Sequence, residues 1–171
     1  TAYFEADLIS AYAIGALLAW AMHSSLAAVL TFATFAATGI VAIPVAMALV
    51  IGANLGGAII PFALLWSAER PARLLVLGNL MARGAVTLLF LGVLVTGSLG
   101  IGWLGGGPGQ QAVVLHLLLN ATLLVLGLPF VGLFVRLSEK LLPRHPDTMT
   151  EAVTALDKGA LDHPPLALAC A

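Results

Sequence analysis

The chain has 171 residues, 61% apolar and 9% charged, with a mean hydropathy of +1.08. Soluble domains carry about 25% charged residues, so the composition excludes an ordinary water-soluble domain and specifies a polytopic membrane protein. The net charge of −1 argues against nucleic-acid binding, which wants a basic face, and the lone Cys170 leaves no disulfide framework or cysteine metal site.

Residues 1–7 hold Glu5 and Asp7 rather than a basic leader. The chain begins at Thr1 and reads as one part of a larger polypeptide. From residue 8 to residue 68 there is no Asp, Glu, Lys or Arg. The first half of that block, 8–38, has His23-Ser24-Ser25 at its middle. Each flanking arm has about 15 residues, which as helix reaches about 22 Å, short of a hydrocarbon core of about 30 Å. Polar groups inside an apolar run tend to face protein or a water-filled cavity. The stretch is therefore expected to be a re-entrant helical hairpin with its tip at 22–25. The alternative is one long, tilted transmembrane helix whose serines bond to backbone carbonyls.

Residues 40–65 are long enough for a full span. Pro44 and Pro61 lie near its ends, and Gly52-Ala53-Asn54-Leu55-Gly56-Gly57 fills its middle. So many glycines beside an amide predict an unwound turn whose carbonyls, with that of Asn54, could ligate a cation. The other reading is close helix packing by small residues.

The first charged loop is 66–73, with Glu69, Arg70 and Arg73. Residues 74–102 form the next span, with Asn79 and Arg83 in its first third. There Arg83 is expected to snorkel to the near interface rather than pair with a buried anion. Residues 97–111 are glycine-rich and uncharged, a flexible connection with Trp103 as an interface anchor. They lack the Lys and Ser/Thr of a phosphate-binding P-loop. Residues 112–135 form the last span, and His116 and Asn120, four apart, share one helical face, from which a pair of interhelical hydrogen bonds is expected. Arg136, Lys140 and Arg144 follow at once, so by the positive-inside rule this end is cytoplasmic. The 66–73 loop then lies inside and the hairpin opens outward. The transmembrane part runs from 1 to 137. From 138 to 171 the composition turns polar, as in a linker leading to a cytoplasmic segment.

Taken together these stretches resemble the bacterial sodium/phosphate cotransporter family. His23-Ser24-Ser25-Leu26 is similar to the Gln-Ser-Ser-Ser motif at the family's hairpin tip. Gly52-Ala53-Asn54-Leu55-Gly56-Gly57 is similar to its Gly-Ala-Asn-Ile-Gly-Thr-Thr stretch. Weaker echoes are Pro71-Ala72-Arg73 with Gly78-Asn79, then His116 to Asn120 with Leu128-Pro129-Phe130. The tail from Leu156 to Leu168 looks like the linker into a PhoU-like helical domain. His23 stands where the family has glutamine, and Gly56-Gly57 lack its hydroxyls.

The resemblance implies an all-α, multi-pass cell-membrane protein that moves inorganic phosphate with sodium as coupling ion, by alternating access against a first inverted repeat upstream. His23, Ser24 and Ser25 would contact phosphate. Ser24, Ser25 and Asn54 would hold sodium, a hard cation that takes oxygen ligands. Asn79, His116 and Asn120 would support them. Transport of another small anion and a non-transporting anchor or phosphate sensor are the competing functions. No paired carboxylates or nucleophile–base pair suggest an enzyme.

Overall fold

The computed structural model describes residues 7–98 and 105–142, and there the chain is all-helical. Five helices follow one another: α1 (Leu8–Ala21), α2 (Ser25–Ala37), α3 (Ile43–Leu64), α4 (Arg70–Val95) and α5 (Pro108–Leu141). The last three are long and apolar enough to cross a membrane, while α1 and α2 are shorter apolar helices. This is the fold of an integral membrane protein.

The break between α1 and α2 falls at Met22, His23 and Ser24, so the single long helix is ruled out. Its hydrogen bonds are those of a Schellman stop. His23 N–H donates to the Trp20 carbonyl (3.1 Å) and Ser24 N–H to the Ala19 carbonyl (3.2 Å). His23 takes the left-handed conformation such a stop requires, with φ 50°. Ser24 then caps α2 at once, its hydroxyl oxygen accepting from Ala27 N–H at 3.1 Å.

The contacts with α3 set the direction of the two arms. Gly52 and Gly56 lie against the backbone of Tyr12 and Ala16, so α1 runs alongside α3 in the same sense. Ser25 meets Gly57 further along α3, and Ala33 and Ala37 of α2 meet Gly109 at the start of α5. A short link, 38–42, returns the chain to α3. The arms therefore fold back on each other, with their open ends near the start of α3 and their tip beside its second half.

Helix α3 is the centre of the bundle. Met47, Val50 and Ile51 are fully buried among Ala19, Val29, Phe32, Leu115 and Leu119 from the surrounding helices. Its expected unwound turn at 52–57 is not there: α3 is continuous from Ile43 to Leu64. The reason is packing. A side chain at Gly15, Gly52 or Gly56 would strike the backbone of the facing helix. The glycines let α1 and α3 approach closely, the usual service of small residues between membrane helices.

Two other boundaries differ from expectation. Helix α4 starts at Arg70, with Pro71 in its first turn, and ends at Val95. Proline lacks only an N–H that is unbonded there anyway, so it initiates rather than delays the helix. Helix α5 runs through Pro129 to Leu141, past the expected end at 135. Trp103 and the tail resembling a PhoU-domain linker lie outside the described residues.

Candidate functional site at the hairpin tip

The residues expected to act fall into two neighbouring groups. At the tip, His23 is exposed and its side chain makes no hydrogen bond among the described residues, while Ser24 and Ser25 are half-buried. Ser24 keeps its O–H free to donate, because the cap uses its oxygen as acceptor. The N–H groups of Ser25 and Leu26 precede the first bond of α2, which Ala28 N–H makes to the Ser24 carbonyl at 3.2 Å. They point out of the positive end of the helix. The tip rests on α3: a Cβ at Gly57 would come within 2.9 Å of Ser25 Cβ.

One turn back on α3 is Asn54, 1% exposed. Its Oδ1 accepts a hydrogen bond from Nη1 of Arg83 on α4. Sequence reasoning missed this partner, and the helix boundary is why. With α4 beginning at Arg70, Arg83 is the fourteenth of 26 residues, near the midpoint rather than in the first third. The near end is then about 20 Å away along the axis, too far to snorkel. A count from Pro71, a good first-turn residue, would have found it.

Among the described residues Arg83 has no carboxylate beside it. The acidic residues among those described, Asp7, Glu69 and Glu139, sit at helix ends. Arg83 Nε is buried without a partner. Arg83 also lines a cavity of about 420 Å³ between α4 and α5, and Asn79 and Asn120 line it too. Asn120 donates to the His116 carbonyl at 2.8 Å and lies 3.2 Å from His116 Nε2, while His116 Nδ1 is buried and unpartnered. The four-residue spacing thus makes a contact within α5, in place of the interhelical hydrogen bonds expected of the pair. Tyr12 and Thr87, singled out by nothing in the sequence, tie α1 to α4 at 3.0 Å. Thr87 Oγ1 donates to the Arg83 carbonyl at 2.8 Å, so Tyr12 is the donor in that pair.

The structure thus brings Ser25, Asn54 and Arg83 to one region, and Asn79 and Asn120 to the adjoining cavity. His23 stands apart on the tip's outer side.

The chain is similar to curated bacterial transport proteins. It is 35% identical to the "Putative inorganic phosphate export protein YjbB" of Escherichia coli K12 over 164 residues. It is 34% identical to the protein of the same name from Salmonella typhimurium LT2 over 164 residues. Each match takes in 95% of this chain, which spans 30% of the relative's length. No family model and no solved structure matches the chain.

Proposed function

We propose that this chain forms part of a membrane transporter of inorganic phosphate. The observation that carries the reading is the start of α2. Two backbone N–H groups that precede the first bond of α2, the Ser24 O–H and the half-buried Ser25 hydroxyl lie there, against Gly57 of α3 and one helical turn along α3 from the Asn54 that holds the Arg83 guanidinium. Phosphate carries one to two negative charges and strong acceptor oxygens, and a helix start offers the donors and the field for them. The relatives' name, phosphate export, supports the same substrate and favours outward net flux as the direction proposed.

Alternating access fits the geometry as well. The hairpin is short enough to end inside a bilayer as a re-entrant element, with its open ends on the outer face. The polar groups of the α4–α5 cavity suit a facing inverted repeat better than lipid. Sodium coupling belongs to the reading through Ser24 and Ser25, whose hydroxyls suit a hard cation. The third expected ligand, Asn54, already has its oxygen on Arg83.

The test is phosphate binding to the purified protein by calorimetry. Ser25→Ala should weaken it about tenfold or more, since a hydrogen bond to a charged group is worth about 1.5–3 kcal/mol. Ser24→Ala should do the same and also lower stability through the lost cap. Parent-like affinity in both variants would remove phosphate from the tip.

A further inference from the structure

We propose that Arg83 is a fixed cation built into the transport site: held by Asn54, it supplies the positive charge that binds the oxyanion and takes the place of a sodium ion at Asn54. The inference rests on the phosphate-transport reading and adds to it the residue that neutralises the cargo.

Four observations support it. Arg83 sits at the midpoint of a helix long enough to span the membrane. An ionised side chain at such depth calls for a partner. Among the described residues no carboxylate serves as one. Its Nη1 is committed to Asn54 Oδ1, and Nε is buried and unsatisfied. A guanidinium is a planar fork that matches two oxygens of a tetrahedral anion. Asn54 orients that fork, and the amides of Asn79 and Asn120 border the same cavity, Asn120 with one N–H already held by the His116 carbonyl.

The same contact bears on cation binding. An amide oxygen facing a guanidinium is a poor ligand for a second cation, because two positive charges a few ångströms apart in a low-dielectric site repel strongly. Asn54 is therefore a positioning residue for Arg83, and not a sodium ligand.

Asn54→Asp separates the two roles. It keeps an oxygen on Arg83 and so keeps the contact, but it cancels the fixed charge. As a sodium ligand, an added carboxylate would tighten sodium binding. As the holder of a phosphate-binding charge, it weakens phosphate binding.

The experiment uses the intact purified protein with phosphate and sulfate as probes, each in sodium and in potassium buffer. Thermal melting confirms that each variant is folded. Asn54→Asp and Arg83→Gln should each weaken anion binding about ten- to a hundredfold. Arg83→Lys, which keeps the charge but not the fork, should fall between the parent and Arg83→Gln. The sodium concentration giving half-maximal effect, where sodium has one, should not fall in Asn54→Asp. A parent that binds sulfate through Arg83 but not phosphate would correct the substrate and leave this assignment standing. Parent-like anion affinity in Arg83→Gln or Asn54→Asp, or tighter sodium binding in Asn54→Asp, would overturn it. So would a parent that binds neither anion.

Discussion

At the residue scale, His23 illustrates how one position serves the fold whatever it does for transport. Helices α2 and α4 end in the same stop as α1, but there Gly39 (φ 74°) and Gly97 (φ 69°) take the left-handed place. His23 takes it with a Cβ, at a cost of about 1–2 kcal/mol that glycine avoids. His23→Gly should thus leave thermal stability equal or slightly higher. His23→Val should lower it by about 1 kcal/mol or more, since β-branched residues tolerate this conformation least. Equal melting of the two would mean the tip relaxes out of the left-handed turn. The Asn54–Arg83 pair has its own signature. Asn54→Leu strands a cation and should cost about 1–3 kcal/mol. Adding Arg83→Met should recover most of the loss, a coupling that a double-mutant cycle in chemical denaturation would measure. Additive effects would mean that the two side chains do not meet. Asp7, at the other end of α1, accepts hydrogen bonds from the Ser10 hydroxyl and from the N–H groups of Ser10 and Ile9, which hold its carboxyl below the usual carboxylate range. Its cap is therefore present above the ordinary aspartate value, about 3.9, and lost as pH falls through the lower folded one. Asp7→Asn should flatten that acid limb of the stability profile.

At the scale of the element, the seam between α1 and α3 is the most demanding. Gly52 and Gly56 face main-chain atoms, which cannot swing aside as the end of a flexible side chain can. Gly52→Ala should destabilise by about 1–3 kcal/mol, the ordinary range for overpacking. Gly92→Ala, where nothing lies within 4 Å, should be neutral or stabilising. Tolerance of both in thermal melts would mean the seam is looser than described. These glycines also show which features could be read from the sequence. The hairpin arms were readable only as one of two possibilities, since each arm is shorter than the bilayer core but the two together also suit one tilted helix; the left-handed turn at His23 decides between them. The Gly52–Gly57 stretch was just as open, because glycine serves equally for unwinding and for close approach. Only the facing residues, Tyr12 and Ala16, decide between them. Arg83 was misjudged for a related reason: snorkelling depends on depth, depth depends on where the helix starts, and Pro71 hid that start.

For the whole molecule, four of the five basic residues among those described fall at one end. Arg70 and Arg73 begin α4, Arg136 and Lys140 lie near the close of α5, and Gly78 packs against Ser138 and Phe134 where those ends meet. Arg73 also stacks over the Trp66 ring at 5.0 Å. The hairpin opens at the opposite end of α3. Cysteines at Asp7 and Ile40 should therefore label from one face of the membrane, and one at Ser67 from the other. Asp7 and Ile40 on opposite faces would mean a hairpin that crosses. The tip could be located in the sequence because its polar residues are consecutive. The Arg83 site could not, because it joins α3, α4 and α5 at points far apart in the chain. The most direct test of the whole account is exchange of radiolabelled phosphate across proteoliposomes containing the intact protein, with phosphate on both sides. Exchange is indifferent to the direction of net flux and isolates the carrier step. It should run well above protein-free vesicles and fall about tenfold or more in Ser25→Ala and Arg83→Gln. Exchange no faster than in protein-free vesicles, or undiminished in both variants, would contradict it.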